Sequence, residues 1–190
     1  MRLRHRGVTI VELMIVVVIL GLILAFAGPK IDVMKYRIES SMQGIGLTFL
    51  TAERQAISQQ HDIIVEFDVA HNALKIHEDK NNNGVIDAGE RVRSVPLGDN
   101  VVFGRGSATA MTQIGNGPIS FTMTVNGYLA VTFHRDGSAS GAGGFYLTST
   151  RAATTTAFKQ DCRAVWIDRA TGRASWFRYN QTSNTWVRAF

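Results

Sequence analysis

The first apolar stretch of the chain is long, continuous and almost free of charge. It covers the 21 positions of residues 8–28, and Glu12 is the only charged residue within it. A helix of this length and composition can cross the hydrocarbon core of a bilayer. The pattern therefore predicts a transmembrane helix over residues 8–28.

Beyond this stretch the apolar residues recur at every third or fourth position, as they do on one face of a helix. The stripe comprises Ile31, Met34, Ile38, Met42, Ile45, Phe49, Ala52 and Ala56. Pro29 lacks a backbone donor, and we expect it to bend the helix rather than to end it. We predict an amphipathic continuation of the helix over residues 29–60.

After His61 the pattern changes to short runs rich in β-branched and aromatic residues, separated by Gly, Asn and Asp. Eight strands are predicted, at residues 63–67, 73–77, 92–95, 121–125, 129–133, 145–148, 164–167 and 174–179. Short runs joined by turn residues are typical of antiparallel sheets. The predicted fold class is α+β: a long N-terminal helix, transmembrane in its first half, packs on an antiparallel β-sheet or sandwich domain over residues 61–190.

Composition permits one modest domain with a packed core, because 45% of the 190 residues are hydrophobic and 18% are charged. The formal net charge is +5, and three of the basic residues, Arg2, Arg4 and Arg6, precede the apolar stretch. Residues 151–190 hold seven Lys and Arg against two Asp, so this end alone carries +5. The asymmetry indicates a candidate contact with an acidic partner.

Cys162 is the only cysteine in the chain. Without a second cysteine there is no intramolecular disulfide, so the domain depends for its stability on its hydrophobic core or on other interactions. We expect Cys162 to be a buried, unreactive thiol.

Three kinds of segment explain a basic start followed by an apolar run: a cleaved secretory signal, a signal anchor and a pilin-type leader. The apolar run continues into a helical pattern rather than ending at a small-residue cleavage site, which argues against a secretory signal. The sequence Arg-Gly-Val-Thr-Ile-Val-Glu at residues 6–12 resembles the leader junction of type IV pilins and type II secretion pseudopilins. The family usually has phenylalanine at the position of Val8 and leucine at that of Ile10, and both replacements stay apolar.

This resemblance implies that a prepilin peptidase removes residues 1–7 by cutting after Gly7 and methylates the new amino group of Val8. It also implies a role for Glu12. A carboxylate within a membrane helix costs roughly 2.5–3.5 kcal/mol on insertion scales, so it is seldom kept without a partner. In a fibre, the Val8 amine of an incoming subunit would neutralise the Glu12 carboxylate of its neighbour. The alternative is a Glu at the bilayer edge that simply reaches water.

Three later segments resemble the GspH/FimT family of minor pseudopilins and minor pilins: residues 52–57 leading into 63–65, residues 133–138 and residues 171–173. The resemblance implies a minor pseudopilin of the type II secretion system. The alternative is a minor type IV pilin that primes pilus assembly or captures DNA. In either case the implied partners are other pilin-like subunits, the prepilin peptidase and an inner-membrane assembly platform. The implied location is the bacterial inner membrane, spanned once, with a periplasmic C-terminal domain that enters a pseudopilus or pilus.

Residues 79–90 match the twelve-residue calcium loop of EF-hands. The candidate ligands are Asp79, Asn81, Asn83, the carbonyl oxygen of Val85, Asp87 and Glu90, with Gly84 at the turn. Alternate oxygen-bearing side chains in such a loop surround a cation, and the glycine permits the sharp bend. The alternative is an Asn-Gly hairpin turn between two strands. No cofactor is required in either interpretation, and calcium is the one candidate.

The carboxy-terminal region combines arginines with aromatic residues, a mixture that can hold phosphates and stack on bases. The candidate nucleic-acid contacts are Arg163, Arg173 and Arg178. The favoured alternative is that the aromatic residues form core and the arginines a solvated rim.

The sequence does not predict an enzyme. Its five histidines are scattered and no Ser/His/Asp set has a recognisable context. The Gly-rich residues 137–144 lack the Gly-Lys-Ser/Thr ending of a phosphate loop. We expect those residues to form a flexible loop.

Overall fold

The computed structural model describes residues 8–27 and 32–189. The chain falls into two compact units, Met1–Val33 and Met34–Phe190. In the first unit, helix α1 (Ile10–Ala27) contains one charged residue, Glu12. Among the described residues, no helix combines the length and the apolar character needed to cross a membrane. Pro29 and its expected bend lie outside the described residues.

Helix α2 (Val33–Gln59) carries the predicted apolar stripe on its buried face. The buried side chains are Ile38, Met42, Ile45, Thr48, Phe49, Ala52 and Ala56. The helix is followed by Gln60 in the left-handed region, at φ 58°. Gly46 allows close packing, since a Cβ there would lie 3.1 Å from the Trp176 ring.

The rest of the chain forms two antiparallel five-stranded sheets. The first has the order β3-β2-β1-β6-β5 and consists of β1 (Asp62–Asp68), β2 (Ala73–Asp79), β3 (Arg91–Pro96), β5 (Thr124–Val125) and β6 (Tyr128–Phe133). The second has the order β10-β9-β8-β7-β4 and consists of β4 (Val101–Phe103), β7 (Gly143–Ser149), β8 (Arg163–Ile167), β9 (Ala174–Asn180) and β10 (Thr185–Arg188). A short helix α3 (Thr150–Thr154) and a 3-10 turn (Lys159–Asp161) connect β7 to β8.

The main core lies where α2 meets the inner faces of both sheets. Four phenylalanines join the three elements: the Phe49 and Phe145 rings lie 5.4 Å apart, Phe67 and Phe145 5.1 Å apart, and Phe67 and Phe121 5.5 Å apart. Alternate residues of a strand point to opposite faces, so a second apolar cluster forms on the far face of the second sheet. The predicted α+β fold, with a helix packed on antiparallel sheets, is confirmed.

The strand prediction differs from the structure in four places. The short strand β4 and the exposed strand β10 were not predicted, and of residues 121–125 only Thr124–Val125 form a strand. Gly143 and Gly144, expected to belong to a flexible loop, instead begin β7 and are buried. A Cβ at Gly144 would lie 2.2 Å from the Val165 carbonyl oxygen. Glycine is therefore needed here for close strand contact.

Candidate functional site

Helix α1 begins with a side-chain cap at Thr9. The Thr9 hydroxyl accepts a hydrogen bond from the Glu12 backbone N–H at 3.2 Å. Glu12 therefore lies in the first turn of α1, not toward the middle of the apolar run, and the helix dipole favours a negative charge there. We had not predicted this cap, although Thr-x-x-Glu before an apolar run is its usual signal.

The surface of α1 is apolar on every side. Its large apolar side chains between Val8 and Leu24 are 50–83% exposed. A continuous apolar surface of this kind marks contact with a membrane or with other proteins. Gly7, after which cleavage is predicted, lies outside the described residues. The predicted roles of Val8 in methylation and of Glu12 in assembly stay predictions.

The six candidate calcium ligands lie in and beside the loop that joins β2 to β3. Asp79 ends β2 and is buried, and its carboxylate accepts hydrogen bonds from the backbone N–H groups of Asn83 at 3.1 Å and Gly84 at 2.6 Å. Gly84 has a φ of 75°, which suits glycine. The connection of residues 80–90 is thus longer than a two-residue Asn-Gly turn, and Asp79 organises its bend.

Glu90 closes the loop on the opposite side. Its carboxylate accepts hydrogen bonds from the backbone N–H groups of Lys80 at 2.9 Å and Asp87 at 3.0 Å, and it lies 2.7 Å from Nε2 of the buried His77. The Asp87 N–H and then His77 lower the pKa of Glu90 from 4.5 to about 2. Glu90 is therefore held as an anion that ties the loop to β2.

The remaining candidate ligands also bind one another. The side-chain N–H groups of Asn81 and Asn83 each donate to one carboxylate oxygen of Asp87 at 2.7 Å. In the described part of the chain, no group of three or more His, Cys, Asp or Glu is placed to hold a metal ion. The side-chain oxygens of Asn81 and Asn83 accept hydrogen bonds from the backbone N–H groups of Asn83 at 3.1 Å and Val85 at 2.8 Å, so they already hold the loop backbone. The calcium site stays a prediction.

Arg163, one of the three predicted nucleic-acid contacts, is buried and already has partners within the protein. Its side chain is only 4% exposed and pairs with Glu39 of α2 at 3.1 Å. It also donates to the backbone carbonyls of Gln160 at 2.7 Å and Cys162 at 3.1 Å. Its guanidinium thus links α2 to the start of β8. The nucleic-acid role of Arg163 stays a prediction, and its burial and its pairing with Glu39 argue against that role.

Arg173 and Arg178 are exposed, as the nucleic-acid prediction requires. The neighbouring aromatic residues are not free to stack on bases, however. Trp176 is buried in the main core, while Tyr179 is buried in the second cluster with its ring 5.1 Å from that of Trp186. The aromatic residues of this region are thus mainly core, with arginines around them.

Cys162 is fully buried in the second cluster. Burial raises the pKa of its thiol to about 12. The expected burial of Cys162 is confirmed, and a protonated thiol is a poor nucleophile, as the expected lack of reactivity requires.

Comparison with known proteins first identifies the amino terminus. Residues 2–28 match the family described as the prokaryotic N-terminal methylation motif. The amino-terminal segment therefore carries the methylation motif of type IV pilins. The motif implies processing by a prepilin peptidase. The match includes Gly7, Val8 and Glu12, the residues to which we assigned cleavage, methylation and assembly.

The solved structures similar to the chain include two of the minor pseudopilin EpsH from the type 2 secretion system of Vibrio cholerae. One is 11% identical, with a TM-score of 0.49 over 75% of this chain and 97% of that chain. The other is 12% identical, with a TM-score of 0.37 over 81% of this chain and 94% of that chain. No curated protein matches the chain. These similarities are too weak to assign a function.

Proposed function

We propose that the chain is a minor pseudopilin of a type II secretion system, a structural subunit of the periplasmic pseudopilus that helps to drive protein export. The observation that carries the proposal is the surface of α1, where exposed apolar side chains surround one carboxylate, within a methylation motif. Such a surface is unfavourable in water. Lipid covers it before assembly, and the corresponding helices of neighbouring subunits cover it in the fibre.

Cleavage after Gly7 would create a positively charged group that can neutralise the Glu12 carboxylate. The new α-amino group of Val8 is short and positively charged, and it can approach the Glu12 carboxylate of a neighbouring subunit. An unpartnered carboxylate in the apolar fibre core costs several kcal/mol. Assembly would therefore favour the axial position at which amine and carboxylate meet.

The same proposal sets the location of each segment. Residues 8–28 anchor the subunit in the inner membrane, crossing it once, and residues 61–190 lie in the periplasm. The assembly platform in that membrane would then lift the subunit into the pseudopilus. The role is structural rather than catalytic.

A second candidate is a minor type IV pilin that primes pilus assembly or captures DNA. The exposed Arg173 and Arg178 support it, whereas the burial of Arg163 against Glu39 weakens the DNA-binding part. Binding of duplex DNA at low salt, lost in the double variant Arg173→Gln/Arg178→Gln, is the result that the DNA-capture function requires. Absence of binding at low salt would exclude it.

Deletion of the gene distinguishes the two candidates. Under the pseudopilin proposal, protein secretion is lost while pili remain normal, and the intact gene restores secretion. Loss of pili, twitching or transformation, with normal secretion, would contradict the proposal and support the minor pilin.

A further inference from the structure

A polar groove lies between the first turns of α2 and the carboxyl end of β9. Its volume is about 780 Å³. The charged and polar side chains that matter here are Lys35, Tyr36, Glu39, Gln160, Arg163 and Arg178. Three of these are cations and one is a carboxylate, so the groove carries a net positive charge.

Two of the three cations in the groove, Lys35 and Arg178, are available to bind a ligand. Arg163 is neutralised by Glu39 at 3.1 Å. Lys35 and Arg178 are exposed, and no carboxylate in the described ranges lies within ion-pair distance of either. These two side chains can therefore bind an anion without breaking an existing pair.

The wall of the groove also contains polar atoms that are not satisfied. The Nε of Arg163, a side chain that is 4% exposed, and the buried Oε1 of Gln160 have no hydrogen-bond partner in the described structure. Buried polar groups normally have a partner, either in the protein or in a bound molecule. These two atoms are too deeply buried to touch an occupant, and the polar character of the groove surface comes from the exposed Lys35 and Arg178.

Lys35 lies close in sequence to the apolar helix α1, which indicates that the anion is part of a membrane lipid. Eight residue steps join Ala27, the last residue of α1, to Lys35. Eight residues span at most about 29 Å even when fully extended. Lys35 is thus a basic residue that follows the predicted membrane segment, residues 8–28, after only six intervening positions.

The exposed residues beside the groove are of the kind found at membrane surfaces. Tyr36 is 70% exposed and Val33 is 54% exposed, and Arg37 is also exposed. Tyrosine is enriched at the level of the headgroups, and basic residues next to a membrane segment attract anionic lipid. The phosphate oxygens of a headgroup are good acceptors for Lys and Arg.

We propose that this groove binds the phosphate of an anionic phospholipid headgroup while the subunit is anchored in the membrane. The proposal rests on the membrane-anchored stage of the proposed function. Lys35 and Arg178 contact the phosphate directly, and Arg163 is a positioning residue that neutralises Glu39. Each basic residue near an anionic membrane surface increases binding about fivefold.

The test uses the full-length chain in lipid nanodiscs. One set contains phosphatidylcholine alone, and the other contains equal parts of phosphatidylcholine and phosphatidylglycerol. Amide hydrogen exchange at residues 33–39 and 177–182 should be severalfold slower in the anionic discs, and high salt should remove the difference. The double variant Lys35→Gln/Arg178→Gln should lose the slowing. The matched control Arg93→Gln, which removes an exposed charge on β3, should keep it.

Four results would overturn the proposal. Equal exchange in both kinds of disc excludes lipid binding, and equal loss in the Arg93→Gln control shows a general charge effect. Slowing by inorganic phosphate in neutral discs, to the same extent as by anionic lipid, shows that the groove takes a soluble phosphate instead. A chain that fails to remain in either disc contradicts the membrane-anchored stage as well, whereas a retained chain without lipid-dependent slowing contradicts this proposal alone.

Discussion

Replacing Arg163 with Met should destabilise the fold, because its guanidinium joins α2 to β8 and is almost completely buried. The carbonyl of Cys162 keeps its hydrogen bond from the Tyr179 N–H, and Glu39, whose side chain is 41% exposed, can turn to water. The main losses are therefore the bond to the Gln160 carbonyl and the charged bond to Glu39. Together they are worth about 2–3 kcal/mol of unfolding free energy.

Urea unfolding of the full-length chain in mild detergent, followed by tryptophan fluorescence, measures this effect. Arg178→Met is the matched control, since Arg178 is exposed on the neighbouring strand and should change the unfolding free energy by less than about 0.5 kcal/mol. A double-mutant cycle with Glu39→Gln isolates the ion pair. If Arg163→Met is as stable as Arg178→Met, the structural role assigned to Arg163 is wrong.

Three further predictions concern β7 and the loop after β2. Gly144→Ala should destabilise the fold by about 1–3 kcal/mol, because its Cβ would meet the Val165 carbonyl, whereas Gly141→Ala has open space and should be neutral in the same urea assay. The pKa of Glu90 is lowered from 4.5 to about 2 in the folded chain, so its contribution to stability is present above pH 4.5 and is lost as the pH falls toward 2. In a plot of melting temperature against pH, Glu90→Gln should therefore show a smaller decrease between pH 4.5 and pH 2 than the unaltered chain. Calorimetry at millimolar calcium tests the loop of residues 79–90: heat that disappears in Glu90→Gln supports a site, and no heat with the unaltered chain removes it.

Helix α2 shows what the sequence can predict well. The buried residues Ile38, Met42, Ile45 and Phe49 were all in the predicted stripe. A helical period depends only on residues three and four positions apart, so it is visible without knowledge of the tertiary structure. Most strands were predicted for the same reason, because the residue types that mark a strand and its bounding turns are neighbours in the sequence.

The start of β7 shows where local pattern is insufficient. Gly143 and Gly144 lack side chains and are typical of a loop, yet Phe121 and Ile114 pack against their backbone from an earlier part of the chain. The strand forms because these distant residues bury it. Nothing within residues 137–144 contains that information.

Arg163 shows that local sequence is also insufficient to predict the contacts of a candidate site residue. Its partner Glu39 is 124 positions away in the sequence, so the charge pattern of residues 151–190 gave no sign of the pairing. By contrast, the bend at Asp79 and Gly84 was visible, because the residues that form it lie within one loop. A short-range motif therefore predicts the shape of a loop better than a charge pattern predicts what an arginine contacts.

Assembly of a Glu12→Ala variant in cells tests the proposed role of α1 most directly. The variant should be processed and retained in the membrane fraction but absent from isolated pseudopilus fibres, because the Val8 amine then has no carboxylate to pair with. Asp99→Ala, which removes an exposed carboxylate from a loop of the head, should assemble normally. Recovery of Glu12→Ala in fibres at the level of the unaltered chain would contradict the proposed pairing.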